Sequence, residues 1–520
     1  MRPSHFPQCS LSRWRFAVVA AALLAASSLP AATTTAQPEI TAIVATADGI
    51  QISWNAPRSG DTTLFWAAAL AGSQSPSQTD PWIPCAGPFP PSAGEISWTD
   101  TGGPERPPPL SPAVGHRFYR VVADSSALTV WPNPISFANS DTWLVEHHGQ
   151  IQLMQPRVLV LNFSNNTAPR QASALANALV AAVRESSRWH GYADPAAPAF
   201  LEYQIVNIVD LRDVPPVPSC DGNSTKFPRV PNWSGGNNFI YSELYGPTFA
   251  EYYGYARPDQ PTGYLTLAEL AAQGIIHELW FFANHGDCGA PYETIELKQY
   301  YDAAFRKRPG GMHSGYGPAG NGHDFGMPWI GRSFRITFIN PHRGIGCAME
   351  NFGHALEGMR NYNAIPYYTD YFSEFAGFDL QQRYGLPFDS FYWLGGSDSN
   401  EYPAPTTLIS HYRGTDYTVQ DYVALGGNVH FTPNGRGHYD LGNPAPVMST
   451  IRSWRLGNGP GGEDLAELFT IADFQQYNSL APDCMGPWLV YWRQNMPGLN
   501  NLARDDSGQP MKNWWPFLFY

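Results

Sequence analysis

Phe334-Arg-Ile-Thr-Phe-Ile339, a short Pro/Gly turn, and then Cys347-Ala-Met-Glu350-Asn-Phe-Gly-His354-Ala-Leu-Glu357-Gly-Met359 form the stretch from which fold and chemistry are both read. The first run is apolar, β-branched and aromatic, as in a buried strand. The second run places Met349, Phe352, Leu356 and Met359 at helical spacing. Glu350, His354 and Glu357 then stand at i, i+4 and i+7, so a helix puts all three on one face. Carboxylate, imidazole and carboxylate in a row bind a divalent metal or divide acid and base work between them. An ordinary amphipathic helix with a solvated charged side gives the same pattern. Position along the chain therefore has to separate the two readings.

Outward from this stretch the chain has an α/β rhythm. Residues 157–163, 203–209 and 277–282 read as further strands, and residues 172–189 and 265–273 as helices. Strand–helix alternation predicts an α/β domain over residues 150–520, with a largely parallel sheet flanked by helices. Beyond about residue 365 the chain is aromatic, rich in Gly and Pro, and reads as loop.

Ligands of open parallel sheets bind outside the carboxyl ends of the strands. Ser164, Asn165 and Asn166 follow the first strand, and Asn284, His285, Gly286, Asp287 and then Glu293 follow the third. Asn340, His342 and Arg343 precede the charged helix. Polar residues thus gather where a site is expected. A second cluster, Gly427-Asn-Val-His430-Phe-Thr-Pro-Asn434 with Tyr439, Asp440 and Asn443, offers His430 as ligand or proton shuttle, oriented by Asp440. A loop whose Asn and Asp side chains satisfy their own backbone explains it equally well.

The composition bounds the class of protein. Arg2, Arg13 and Arg15 precede an apolar run from Phe16 to Leu29 and small residues at Ala31-Ala32, so residues 1–32 read as a cleavable secretory signal. Its loss takes three positive charges and no acids, moving the formal net charge from −13 to −16. An acidic chain with no basic tract argues against nucleic acid and anionic membrane as partners. No later run is long enough to insert into a membrane. The expected setting is extracellular. Of the six cysteines, Cys9 lies in the signal. The other five, Cys85, Cys220, Cys288, Cys347 and Cys484, leave at least one without an intrachain partner.

Residues 38–125 read as all-β: Ile50–Trp54, Thr63–Trp66, Ile96–Trp98 and Arg117–Val122 alternate between turn-forming segments. With Trp54 and the Arg-Phe-Tyr-Arg run, this small sandwich resembles the fibronectin type III-like modules fused to extracellular bacterial enzymes. The larger part carries Gly353-His354-x-x-Glu357, Asn428-Val-His430-x-x-Pro433-Asn434, Tyr439-Asp440, Tyr491-Trp492 and Asn513-Trp-Trp515. Over about residues 155–520 it resembles a family of secreted bacterial and fungal proteins with no assigned activity. The resemblance implies that His354, Glu357 and His430 form one constellation, and it leaves the chemistry open.

Several motifs are absent. His277-Glu278 lacks the second His of a zincin helix, and neither a G-x-S-x-G elbow nor a phosphate-binding P-loop occurs. The expected function is a secreted, metal-assisted hydrolase of an extracellular polymer, a glycan before a peptide. His354 and Glu357 would bind a divalent metal, zinc or calcium, with His285 or His430 completing the shell. Glu350 or Glu293 would be the general base, and Trp454, Trp488, Trp492, Trp514 and Trp515 the cleft walls. One alternative is a metal-free glycosidase using two of Glu293, Glu350, Glu357 and Asp440. The other is a non-catalytic carbohydrate-binding or adhesive surface protein.

Overall fold

The computed structural model describes residues 39–55, 61–67, 83–89, 95–102, 118–124, 129–133, 136, 141–219, 221–230, 239–257, 262–286, 291–309, 315–459 and 461–520. The expected signal at 1–32 lies outside them, as do Cys220, Asp287 and Cys288.

The N-terminal region is antiparallel β. Strands β1 (Ile40–Ala45), β2 (Ile50–Asn55) and β5 (Glu95–Asp100) form one sheet in the order β1-β2-β5. Strands β3 (Asp61–Ala67), β4 (Ile83–Phe89) and β6 (Phe118–Asp124) form another in the order β4-β3-β6. Ile52 and Trp54 from the first and Leu64 and Val121 from the second share one buried cluster. The indole N–H of Trp54 donates to Thr62 Oγ1 at 3.1 Å.

The larger part opens with a short parallel pair, β7 (Val130–Trp131) and β8 (Leu153–Met154), around helix α1 (Asp141–His147). Then follow β9 (Arg157–Asn162), α2 (Pro169–Ser186), β10 (Gln204–Asp210), α3 (Pro247–Tyr253), α4 (Leu267–Ala272) and β11 (Glu278–Phe282). After these come β12 (Thr294–Gln299), β13 (Tyr316–Pro318), β14 (Phe334–Ile339), α5 (Ile345–Asn361) and α6 (Pro366–Ala376). One six-stranded sheet takes the order β10-β9-β11-β14-β12-β13. Its first four strands are parallel, but β12 runs antiparallel to β14 and β13 antiparallel to β12. The sheet is therefore mixed.

The sequence hid β12 because Glu296 and Lys298 alternate with Ile295 and Leu297 like a half-exposed strand, yet both are fully buried. Arg335 of β14 lies opposite Glu296 and pairs with it at 3.5 Å and also with Glu278. Lys298 meets Glu296 at 3.3 Å. Buried charges persist only when paired in this way.

The segment beyond residue 365 is more regular than a loop. It contains a three-stranded antiparallel sheet (Ser399–Ala404, Thr407–Tyr412, Thr415–Gln420) and a helix at Gly486–Gln494. The five tryptophans expected to wall a cleft are instead buried core. Trp488 and Trp492 donate their indole N–H groups to the carbonyls of Asn428 (2.8 Å) and Gly427 (3.0 Å). They thereby clamp the loop that carries His430. Among the described residues no helix is long and apolar enough to cross a membrane.

Helix α5 is covered nearly all round by β12, β14, α2, α6 and the Gly486–Gln494 helix. Its start is tied by the Cys347–Cys484 disulfide, with the two Cα atoms 5.2 Å apart. Gly358 permits a close approach, since a Cβ there would run into the Ala319 and Gly320 carbonyls. Gly358→Ala should destabilise the protein by about 1–3 kcal/mol through overpacking against backbone. Gly395→Ala, which meets nothing within 4 Å, should leave the urea midpoint unchanged.

Candidate functional site

Strand direction brings the site together. β11 and β14 run parallel, so their carboxyl ends coincide, and antiparallel β12 begins at that same edge. Glu293, just before β12, accepts the Phe338 N–H on its carbonyl at 2.9 Å. Helix α5 leaves the end of β14 and delivers Glu350 and His354 to this edge. The 427–440 loop, held by Trp488 and Trp492, adds His430, His438 and Tyr439.

His354 is the hub. Its Nδ1 lies 3.0 Å from Glu357 Oε2, and its Nε2 lies 3.4 Å from Glu293 Oε2 and 3.8 Å from Glu350 Oε1. His430 Nε2 is 3.2 Å from Glu350 Oε1, and the two imidazole centroids are 5.0 Å apart. The Tyr439 hydroxyl stands 2.9 Å from both Glu350 Oε1 and His430 Nε2. Tyr439 itself holds a left-handed backbone, φ +63°, which a non-glycine residue adopts at a cost. Glu357 is closed off from this side. It accepts the Tyr392 hydroxyl on both oxygens at 2.9 Å and the Val429 N–H at 3.1 Å. Glu293 accepts from Asn321 Nδ2 at 2.7 Å.

The hydrogen bonds assign the tautomers. His438 Nε2 lies 2.9 Å from the Leu394 carbonyl, which only accepts, so that nitrogen carries a proton. Burial and the neighbouring His430 lower the His438 pKa, so the ring is neutral and its Nδ1 accepts. The facing nitrogen, His430 Nδ1 at 3.0 Å, is then the donor. On neutral His430 this leaves a lone pair on Nε2, aimed at a carboxylate oxygen 3.2 Å away. Two acceptors that close repel unless a proton or a cation lies between them. On His354 the carboxylate of Glu357 fixes the proton on Nδ1 and turns Nε2 toward Glu293 and Glu350.

Charge sharpens the arrangement. Burial would push Glu350 up, but hydrogen bonds from His354, from His430 when a proton lies on its Nε2, and from Tyr439 hold it well below the usual carboxylate range. Burial would lower His354, but Glu350, Glu357 and Glu293 raise it to about 10. Glu293 is raised by burial and by Glu350, against the opposing pull of His354. Tyr439 and Tyr392 are raised by burial and by the carboxylates they face.

Glu350 Oε1, His354 Nε2 and His430 Nε2 form a group able to hold a metal ion, with all three atoms within 4.8 Å of one another. Glu293 adjoins it. Two residues of the expected shell lie elsewhere. Glu357 is spent on Tyr392, the Val429 N–H and the far nitrogen of His354, which makes it an orienting group. His285 is exposed, packs its ring 5.8 Å from that of Phe338, and lines a neighbouring cleft. Asp440 does not orient His430, because its oxygens take Arg436 (2.6 Å) and the Gly442 N–H. His438 performs that orientation. The sequence reading missed His438 and Tyr392, and gave Tyr439 no role. None of them has a spacing signal, because His438 and Tyr439 reach the site through a turn and Tyr392 through a single 3-10 turn at Phe391–Trp393. His277 is buried and accepts the Arg157 N–H on Nδ1 at 3.0 Å.

Comparison of the chain with protein-family models, curated proteins and solved structures gives no match.

A folded-state pKa raised from 6.5 to about 10 at His354 stabilises the fold fully below about pH 6.5, and this contribution is lost as pH rises through about 10. Thermal melts of chelator-treated protein should therefore show a falling Tm from pH 7 to 10, and His354→Gln should flatten that slope.

Proposed function

We propose that this chain is a secreted hydrolase of an extracellular polymer, working at Glu293, Glu350, His354 and His430 around a divalent metal. The observation that carries the reading is the convergence of Glu350 Oε1, His354 Nε2 and His430 Nε2 within 4.8 Å. Burial of the charged face supports it as well, since a merely solvated stripe has no reason to be enclosed. Two imidazole nitrogens with carboxylate oxygens favour zinc over calcium, which prefers an all-oxygen shell. When bound, the metal would supply Lewis acidity and a more acidic water.

The protein's own groups have separable tasks in this reading. Glu357 and His438 orient the two histidines, in the manner of outer-shell partners that fix tautomer and ring direction. Glu293 borders both the donor atoms and the adjoining cleft, which suits it to take a proton from water. Tyr439, with its hydroxyl on Glu350 and its ring partly open to solvent, is placed to contact an incoming substrate. The fibronectin type III-like module would space or attach the catalytic part.

The metal-free glycosidase reading keeps one specific support: Glu293 is pushed up and Glu350 down. Environments that split two carboxylates in this way mark acid and base partners. A non-catalytic glycan-binding surface needs an open helix face and exposed tryptophans from the C-terminal part. Helix α5 and those five rings are buried, which leaves Trp393 as the exposed tryptophan of that part among the described residues.

Elemental analysis of purified protein should find about one equivalent of a divalent metal, lost in His354→Ala and in His430→Ala and retained in His285→Ala. Glu357→Gln should weaken metal binding by roughly 10–100-fold. Polymer-degrading activity that survives complete chelation would overturn the metal reading and leave the two-carboxylate glycosidase.

A further inference from the structure

Beside the metal-binding group lies a small open cleft of about 100 Å³, lined by His285, Pro291, Glu293, Phe338, Asn340, Arg343, Cys347 and Asn351. It has room for one polar substituent of a larger ligand rather than for the whole of it. Pro291, Phe338 and the Cys347 half-cystine give it apolar surface, while donors stand around them. Glu293 is shared between this cleft and His354, so whatever fills the cleft lies against the candidate base.

Arg343 sets the chemistry. The chain carries a formal charge of −13, and its other surface arginines mostly find carboxylates, as Arg212, Arg257, Arg306, Arg436 and Arg452 do. Arg343 is exposed, meets Cys484 Sγ at 3.4 Å, and forms no ion pair among the described residues. It is near enough to Glu293 and to Tyr439 to act on both through its charge. Asn340 accepts the His342 N–H on Oδ1 at 3.0 Å, which turns the donor end of its amide to other use. Burial and the Arg343 charge lower the His285 pKa, so that ring is a neutral hydrogen-bonding group near pH 7. A planar guanidinium with neutral donors around it is the usual receptor for a carboxylate or another oxyanion.

An open aromatic residue adjoins the same centre. Tyr439 is 48% exposed, its ring centroid 4.4 Å from that of His430. Exposed rings with a polar tip suit the apolar faces of sugars.

We infer that the cleft binds an acidic polysaccharide unit of the uronate type, with Arg343 clamping its carboxylate. The inference rests on the hydrolase reading for what happens next to that unit, though not for the binding itself. It restores the glycan preference on Arg343 and Tyr439, after the buried tryptophans withdrew its first support.

The test is calorimetric titration of a trisaccharide of uronate units, and of the neutral trisaccharide of the same ring and linkage. The proteins are wild type, Arg343→Ala and Arg343→Lys, each in a His354→Ala background so that binding is read without turnover. The uronate should bind at least tenfold more tightly than the neutral sugar. Arg343→Ala should lose about tenfold or more of that affinity, and Arg343→Lys should recover part of it. Equal binding of the two sugars, or indifference to Arg343→Ala, overturns the inference. So does tighter binding of inorganic phosphate or of an Asp-rich peptide tested alongside. Arg343-dependent binding without cleavage by metal-loaded wild type keeps this inference and sinks the hydrolase reading. Cleavage of neutral polymer that ignores Arg343→Ala does the reverse.

Discussion

The enclosure of a charged helix is the constraint on which the rest of this structure depends. Helix α5 takes Glu350 and Glu357 to 2% and 4% exposure. An ionised carboxylate removed from water costs several kcal/mol unless it is partnered. Partners therefore arrive from distant parts of the chain. Tyr392 and the Val429 N–H satisfy Glu357, while Tyr439 and His430 satisfy Glu350. These groups lie 35 to 89 residues away along the sequence from the carboxylates that they meet. The tryptophans of the C-terminal helix matter for the same reason, since they fix the loop from which Val429, His430 and Tyr439 project.

That constraint also explains how much could be read beforehand. The strand at 334–339 and the helix after it were legible because apolar periodicity reports directly on local structure. The convergence of Glu350, His354 and His430 was partly legible. Two of them share a helix face, and strand ends are where α/β sites form. His438 and Tyr392 were not, because their placement depends on turn geometry and tertiary packing. Asp440 illustrates the ambiguity: next to a histidine loop it looks like an orienting carboxylate, but Arg436 four residues earlier captures it. The antiparallel half of the sheet was hidden for a related reason. Buried Glu296 and Lys298 break the apolar pattern that marks an interior strand, and only the third partner, Arg335, makes their burial intelligible.

Mixed strand direction has a functional consequence. Had β12 run parallel to β14, Glu293 would stand at the opposite edge of the sheet, away from α5. Because it runs antiparallel, its first residues meet the end of β14, and Glu293 comes within 3.4 Å of His354. The topology thus supplies a third carboxylate to a centre that the helix furnishes with only two.

Charge balance then argues for a cation. Three carboxylates surround His354, and His430 turns Nε2 toward one of them. Without metal the cluster compensates with protons: His354 is held as imidazolium, and Glu293 is driven toward its neutral acid. Each of these states is bought by displacing a group from its ordinary range. Glu350, His354 and His430 could hold a divalent ion, and such an ion would relieve both displacements by supplying the positive charge that the carboxylates require. Glu357 and His438 already face Nδ1 of the two rings, so that Nε2 is the nitrogen that points to the centre and would give up its proton to such an ion. For His438 the Leu394 carbonyl fixes the proton on Nε2, and burial with the neighbouring His430 leaves Nδ1 as the acceptor that faces His430.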